Sequence, residues 1–204
     1  MSKPFEDNGQ YRNSIFYQLL GKDYIAESFR IARSVNPNAE LYLNEYSTYT
    51  RCSNCFVQLL IWRTTDNDNG VKADAFYTLA RELKNAGLID GVGIQGHYIL
   101  GGIPGGLQTR MKALSDLGLD VSITELDIRI PNPTTAAKLT QQANDFAIVT
   151  KACMAVPRCV GITVASFTDK YSWIPGTFPG YDNGHQWDKN LAKKPAYTST
   201  LNAI

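Results

Sequence analysis

Glu125, Asp127 and His97 are the residues whose types and spacing could carry out catalysis. Glu125 ends an apolar strand-like segment in SITELDIRI, and Asp127 follows two residues later, on the same face of an extended chain. His97 ends the preceding strand-like unit, and a histidine between two carboxylates can be held in one tautomer while it donates to a nucleophilic oxygen. The pattern indicates carboxylate catalysis, with a buried structural network as the alternative.

Further polar side chains follow the ends of the same strand-like segments. They are Asn44, Glu45, Gln95 and Asp169. Aromatic residues in polar, glycine-rich loops near the carboxyl end are Tyr171, Trp173, Phe178, Tyr181 and Trp187. Some of these rings will serve packing, but flat apolar rings beside carboxylates and amides also suit a sugar, whose faces are apolar and whose rim carries hydroxyls.

One glycine motif suggests nucleotide binding, but its context argues against it. GVGIQG (91–96) matches the dinucleotide-binding pattern G-x-G-x-x-G. Its glycines lie within and just before a strand, and the following HYILGGIPGG cannot open a helix that would hold a pyrophosphate. We therefore predict no nucleotide cofactor at this motif.

The cysteines form two pairs with different expectations. Cys52 and Cys55 make a single C-x-x-C, and the chain offers too few further ligands to complete a zinc site, so unremarkable thiols are the preferred interpretation. Cys153 and Cys159 bracket the turn MAVPR between a helix and a strand. A disulfide closing this small loop is the favoured reading, and it would indicate an oxidising compartment.

Helical and strand patterns alternate along the chain. Apolar residues recur at helical spacing in 24–32, 76–86, 107–117 and 135–154 and near 196–204, and short apolar strands fall at 41–44, 92–95, 121–124 and 161–167. Gly118 stands where a left-handed helix C-cap belongs. This alternation predicts an α/β fold with a parallel sheet. A doubly wound sheet and a (β/α)8 barrel both remain open, because both place their sites at the carboxyl ends of strands.

Residues 51–70 fit this pattern poorly. They stand between a strand and its helix, where connections usually take about 2 to 6 residues. We interpret the stretch as an insertion.

Composition excludes several classes of partner. The 204 residues include 44% hydrophobic residues and carry a net charge of +1, as expected of a globular chain without a broad cationic field. Neither nucleic acid nor a membrane is therefore an expected partner. The densest apolar run is far shorter than the ~20 residues that span a bilayer. The opening MSKPFEDNGQYR also lacks the apolar stretch of a signal peptide.

Five segments in order resemble glycoside hydrolase family 10, the endo-1,4-β-xylanases. They are LYLNEY (41–46), DGVGIQGHY (90–98), LGLDVSITELDIRI (117–130), CVGITVASFTDKYSWIPG (159–176) and WDKNLAKKPAY (187–197). The likeness runs from about Pro4 to the carboxyl terminus and is interrupted at 51–70. Residues 1–204 are accordingly identified as part of one catalytic domain of this family.

The resemblance implies a (β/α)8 barrel, retaining hydrolysis of xylan, no cofactor and a secreted protein. It also implies roles for particular residues: Glu125 as nucleophile, His97 and Asp127 as residues that position it, Asn44 and Gln95 as polar residues of the substrate cleft, Trp173 as cover for the sugar at the cleaved bond, and Cys153 and Cys159 as a disulfide. Xylan and xylo-oligosaccharides are the expected ligands.

Two departures from the family pattern lower the expected activity. The family's acid/base glutamate belongs to an Asn-Glu pair just before a segment like the one that begins here at Pro4, and Ser2 and Lys3 stand at the positions of that pair. Glu6, in the following loop, is not a match. Ala165 stands where the family usually has a tryptophan. We expect this chain to hydrolyse xylan weakly or not at all, with a non-catalytic xylan-binding or degenerate remnant protein as the alternative.

The matched segments correspond to about the last four strands of a barrel. An incomplete barrel would leave open strand edges and apolar strand faces. Self-association through those edges is therefore a further expectation.

Overall fold

The computed structural model describes residues 3–46 and 70–204. Cys52 and Cys55 lie outside the described residues, as does all of the 51–70 insertion except Gly70.

Helices and strands alternate along the described chain, as the periodicity predicts. In order they are α1 (Ile15–Leu20), α2 (Tyr24–Val35), β1 (Tyr42–Glu45), α3 (Gly70–Asn85), β2 (Gly91–Ile94), β3 (His97–Ile99), α4 (Leu107–Asp116), β4 (Asp120–Pro131), α5 (Ala136–Met154), β5 (Cys159–Val164), α6 (Ile174–Thr177), β6 (Tyr181–Asp182) and α7 (Pro195–Leu201).

The sheet is parallel through β1, β2, β4 and β5, which lie side by side in that order. β3 continues the line of β2 and pairs with the outer part of β4, where His97 lies opposite Asp127. β6 is short and runs antiparallel to the last residues of β4. If β2 and β3 are taken as one interrupted strand, each parallel strand lies beside the next along the chain.

This strand order distinguishes the two α/β folds that the sequence left open. A doubly wound sheet reverses its strand order at one point, whereas successive strands of a (β/α)8 barrel are always neighbours. The described sheet follows the barrel order without reversal. It forms an open part of a (β/α)8 barrel, which confirms the predicted fold class.

The predicted elements agree with the structure except at some ends. The strand expected at 121–124 extends to Pro131, because β3 and β6 supply partners for its outer half. The strand expected at 161–167 begins at Cys159 and ends at Val164. The glycines of GVGIQG are followed by β3, which begins at His97, and the next helix, α4, begins only at Leu107. The motif therefore does not open a helix, as predicted.

The core lies between the sheet and the helices that cover it. Fully buried strand residues such as Val121 and Ile123 face helices whose apolar faces are also buried, including Met111 of α4 and Phe146 of α5. Burial of one such side chain contributes about 1.5–3 kcal/mol. The glycine after α4, Gly118, has φ +78°, as its predicted C-cap position requires.

A disulfide joins Cys153, in the last turn of α5, to Cys159, the first residue of β5. The predicted pairing is therefore confirmed. It ties the end of the longest described helix to the strand beside β4, on which the catalytic candidates lie.

None of the helices in the described ranges is long and apolar enough to cross a membrane. Within 3–46 and 70–204 there is also no group of three or more histidine, cysteine, aspartate or glutamate side chains that could hold a metal ion.

Candidate active site

The site forms where the parallel strands end. Asn44 is on β1, Gln95 directly follows β2, His97 opens β3, and Glu125 and Asp127 are on β4. Because parallel strands end at the same edge of a sheet, these side chains meet even though 81 positions separate Asn44 from Glu125. The topology thus converts scattered polar residues into one cluster.

Glu125 faces the site because β4 is irregular at this point. The pairing of β4 with β5 shifts register between Ile123 and Leu126. The alternation of buried and half-exposed residues breaks at the same place, where Thr124 and Glu125 are both half-exposed. Such irregularities re-aim side chains and are common beside active sites. The Glu125 side chain is 41% exposed and can be reached by a ligand.

His97 lies between two carboxylates, as the sequence predicts. Its Nδ1 is 3.0 Å from Asp127 Oδ2, and its Nε2 is 3.2 Å from Glu125 Oε2. Burial lowers the pKa of His97, but the hydrogen bonds and charges of Asp127 and Glu125 outweigh it, so the pKa lies above the ordinary histidine value. The protonated ring can donate to both carboxylates at once.

The second oxygen of Glu125 is held from β1. Asn44 Nδ2 donates to Glu125 Oε1 at 3.4 Å. The amide is oriented by Thr124, whose hydroxyl donates to Asn44 Oδ1 at 3.0 Å and so assigns the Nδ2 group to Glu125. Sequence reasoning missed Thr124, although it lies within the ITELD segment. Each oxygen of Glu125 therefore faces one donor.

Trp173 is joined to the same cluster. Its Nε1 donates to Asp127 Oδ2 at 2.8 Å, and its ring packs edge-on against His97 with centroids 4.8 Å apart. Asp127 is completely buried, and its Oδ1 has no hydrogen-bond partner among the described residues. Phe178 packs against the other part of the indole at 5.4 Å. Asp127 thus links the nucleophile candidate to the aromatic wall.

A cleft of about 830 Å³ opens above these groups. Its described lining comprises Lys3, Tyr46, Gln95, His97, Thr124, Glu125, Arg129, Val164, Ala165, Trp173, Thr177 and Phe178. The lining is mixed, with aromatic rings beside amide, hydroxyl and charged groups, which is the composition expected of a sugar site.

Several lining residues were not singled out as site residues from the sequence, among them Tyr46, Thr124 and Arg129. Tyr46 receives a hydrogen bond from Arg12 Nη2 at 3.0 Å, and Lys72 Nζ lies 4.1 Å from the centre of its ring. Arg129 packs its guanidinium 3.9 Å from the centre of Phe178. Thr124, Tyr46 and Arg129 all lie inside segments that carried the family resemblance. Their position next to the motif residues could therefore have indicated that they line the site.

Two polar residues expected at this edge of the sheet lie in separate buried ion pairs. Glu45 is 3.3 Å from Lys72, and Asp169 accepts from Lys194 at 2.9 Å. Burial raises the pKa of Glu45 despite the opposing charge of Lys72. Neither carboxylate lines the cleft. Both therefore belong to buried structural networks.

Glu125 is the one carboxylic acid among the described residues that line the cleft. Lys3 contributes an ammonium group instead. The backbone N–H of Lys3 donates to Asn44 O at 2.9 Å, which fixes residue 3 beside the strand that holds Glu125 Oε1. The arrangement offers one positioned carboxylate beside an aromatic wall.

Comparison with known families identifies relatives over nearly the whole chain. The family model described as Glycosyl hydrolase family 10 matches residues 2–203. An endo-1,4-beta-xylanase of Agaricus bisporus is 41% identical over 198 residues, which cover 97% of this chain and 54% of that protein. Endo-1,4-beta-xylanase A of Phanerodontia chrysosporium is 40% identical and is covered to 44%. The chain spans about half the length of the curated relatives it matches.

Solved structures give the same result. A glycosylated endo-beta-1,4-xylanase from Gloeophyllum trabeum superposes with a TM-score of 0.86 at 36% identity, covering 99% of this chain and 58% of that one. Xylanase 10B from Thermotoga petrophila RKU-1, determined in complex with xylobiose, superposes with the same TM-score of 0.86 at 31% identity, covering 99% and 57%.

Proposed function

Because the chain belongs to glycosyl hydrolase family 10, we propose that its cleft binds xylan and that Glu125 is the nucleophile of a retaining endo-1,4-β-xylanase site. The observation that carries this proposal is the set of contacts around Glu125. Its two oxygens face Asn44 and His97, and Asp127 holds the far nitrogen of His97. The carboxylate is thus oriented from both sides while it stays open to the cleft.

Retaining hydrolysis needs two steps. Glu125 attacks the anomeric carbon, the bond to the departing oxygen breaks, and that oxygen takes a proton from a carboxylic acid. Water then attacks the glycosyl–Glu125 ester while the second carboxylate removes its proton. The two carboxyl groups of such a pair are about 5–5.5 Å apart. The hydrogen bonds to Glu125 orient its carboxylate and are given up in part as its oxygen bonds to carbon.

The second carboxyl group is where this cleft departs from the scheme. We propose that Lys3 occupies the position of the acid/base residue, since it lies beside Asn44 and lines the same cleft as Glu125. A lysine ammonium cannot take up the proton of the attacking water. General acid–base catalysis contributes about 10²- to 10⁴-fold, so we expect a correspondingly slow xylan hydrolysis.

The remaining lining residues suit the substrate rather than the bond-breaking step. Trp173 offers an apolar face at the nucleophile, and Gln95 contributes an amide to the cleft lining. Asn44 would act on the substrate through its hydrogen bond to Glu125. Ala165 also lines the cleft and contributes no aromatic ring there. Xylo-oligosaccharides are therefore the ligands that we propose, with no metal or organic cofactor.

A slow-reacting activated substrate tests the nucleophile without requiring the acid. A 2-deoxy-2-fluoro-xylobioside with a dinitrophenyl leaving group should form a glycosyl ester, because that leaving group departs unprotonated. Mass spectrometry of peptides should find the adduct on Glu125, and Glu125→Gln should abolish it. An adduct on another residue, or none with a folded protein that binds xylotriose, would contradict the assignment.

A second candidate is a non-catalytic xylan-binding protein. The single carboxylic acid of the described cleft lining favours it. Calorimetric titration with xylotriose combined with a product assay separates the two functions. Binding with neither turnover nor adduct formation supports the second candidate, whereas adduct formation on Glu125 supports the first.

Three further proposals accompany this function. Residues 1–204 form one part of a catalytic domain, with 51–70 as an insertion. The location is extracellular, which the disulfide between Cys153 and Cys159 supports. The third proposal is self-association through β1 and β5, the outer parallel strands of the described sheet. Light scattering at several protein concentrations tests it.

A further inference from the structure

His185 is a buried histidine that the reaction scheme does not use. It is 1% exposed and lies in the segment that follows β6. The preceding residue, Gly184, accepts a hydrogen bond from the N–H of Ile128 at 3.0 Å, next to Asp127 on β4. His185 is therefore fixed against the strand that carries the catalytic candidates.

Hydrogen bonds connect His185 to the turn that carries Trp173. Its Nε2 is 2.9 Å from Ser172 Oγ, and the same oxygen accepts from the N–H of Ile174 at 3.2 Å. Ser172 and Ile174 flank Trp173 on either side in the chain. The imidazole thus holds the hydroxyl that closes this turn.

A buried ion pair fixes the other side of His185. The backbone N–H of His185 donates to Asp169 Oδ1 at 2.9 Å, and Lys194 Nζ donates to Asp169 Oδ2 at 2.9 Å. Lys194 also donates to Asn183 O at 2.7 Å. Asp169 and Lys194 therefore lock the backbone of His185, and little freedom remains except in its ring.

We propose that His185 is a positioning residue: through Ser172 it holds the turn at 172–174, so that Trp173 keeps its hydrogen bond to Asp127 and Asp127 keeps His97 against Glu125. This proposal rests on the role proposed for the Glu125 cluster. The connection consists of two hydrogen bonds, His185 to Ser172 and Trp173 to Asp127. Ser172 and Trp173 are neighbours in the chain and are joined by one peptide bond.

Burial favours the neutral form of His185. Burial lowers its pKa below the ordinary histidine value, and although Asp127 and Asp169 oppose that shift, Lys194 and His97 add to it. A second positive ring between Lys194 and His97 would weaken the protonation of His97. The neutral ring can instead hold Ser172 without disturbing the charge of the cluster.

The chain contains two histidines, which makes a direct measurement possible. In a variant that lacks His185, one histidine NMR signal remains, and its titration gives the pKa of His97. His185→Leu removes the contact with Ser172, and Ser172→Ala removes the same contact from its other side. His185→Gln keeps a polar end that can reach Ser172 and serves as the conservative control.

We expect the pKa of His97 to rise in His185→Leu and in Ser172→Ala, because Asp127 Oδ2 then loses the indole donor for part of the time and attracts the His97 proton more strongly. Xylotriose affinity should fall about fivefold, because the turn at 172–174 then holds the Trp173 ring less firmly at the cleft, and fixing it on binding costs about the free energy of one net hydrogen bond. His185→Gln should restore both values. In a Trp173→Phe background, which already lacks the indole donor, His185→Leu should cause no further change in the His97 pKa.

A lower melting temperature with an unchanged His97 pKa and unchanged xylotriose affinity would overturn the proposal, as would an equal pKa change in the Trp173→Phe background. If His185→Leu does not fold, Ser172→Ala decides the question. The titration needs no substrate. Failure of wild-type protein to bind xylotriose would therefore contradict the proposed function while leaving the positioning role testable by the pKa alone.

Discussion

Trp173 donates its indole N–H to Asp127 at 2.8 Å, on the same oxygen that lies 3.0 Å from His97 Nδ1. One carboxylate oxygen therefore serves both the aromatic wall of the cleft and the histidine behind Glu125. Asp127 is completely buried, so these two contacts carry the compensation for its desolvation. A change in the position of the indole therefore reaches His97 through this oxygen as well as through the direct contact of the two rings.

Replacement of Trp173 separates its two roles. Trp173→Phe keeps an apolar ring but removes the donor, so we expect the His97 pKa to rise while xylotriose affinity stays close to that of the wild type. Trp173→Ala removes the ring as well and should weaken xylotriose binding about tenfold. NMR titration and calorimetry on both variants check this. Equal affinities for the two variants would show that the ring does not contact the sugar.

Stability should depend on pH through His97. Its pKa is raised in the folded protein, so its contribution to the free energy of unfolding is fully present below about pH 6.5 and is lost as pH rises through the folded-state pKa. We expect urea denaturation midpoints to fall over that interval for the wild type. His97→Asn should flatten this decline.

The acid side of the same profile has a different origin. The pKa of His185 is lowered by burial, so stability should fall as pH drops below about 6.5, where the unfolded chain takes up the proton. This fall should persist in His97→Asn and disappear in His185→Gln. A fall below pH 6.5 in His185→Gln equal to that of the wild type would contradict the assignment of the acid side to His185. Likewise, a decline above pH 6.5 in His97→Asn equal to that of the wild type would contradict the assignment of the alkaline side to His97.

The sequence predicted the barrel strands and most of the cluster because both follow from local rules. Apolar runs marked the strands, and Glu125, Asp127 and His97 stand at the ends of those runs. The bulge in β4 was not predictable, since it depends on the register with β5, and a strict alternation would have placed Thr124 and Glu125 on opposite faces.

Long-range pairing also decided which polar residues stayed out of the site. Glu45 follows Asn44 directly and, like Glu125, stands at the end of a strand-like segment. It is paired with Lys72, which lies beyond the insertion, and no local pattern specifies that contact. Asp169 likewise forms a buried ion pair with Lys194 and does not line the cleft. Partners distant in the chain thus determine whether a carboxylate lines the cleft or lies in a buried ion pair.

Thr124 should be necessary for the orientation of Asn44. Thr124→Val is nearly isosteric but removes the hydroxyl that donates to Asn44 Oδ1. We expect the free energy of unfolding to fall by about 1 kcal/mol and glycosyl-ester formation on Glu125 to slow, because the Asn44 amide is then no longer held in place and can rotate away from the carboxylate. Thr124→Ser keeps the hydroxyl and should retain both values. Equal labelling rates for the Val and Ser variants would argue against this role.

If Lys3 occupies the acid/base position, as we propose, Lys3→Glu should supply a proton donor. Residue 3 lies beside Asn44 and lines the cleft opened above Glu125, so a carboxyl group there could protonate the departing oxygen and then activate water. We expect the rate of xylan hydrolysis to rise by about 10²-fold or more. The leaving group of 4-nitrophenyl xylobioside needs little protonation, so the rate of the glycosylation step with that substrate should rise less. Lys3→Gln removes the positive charge without adding an acid and is the matched control. Glu125→Gln in the Lys3→Glu background should remove the gain. Equal xylan hydrolysis by the Glu and Gln variants would mean that residue 3 is not the acid/base position, because charge removal alone would then account for any change.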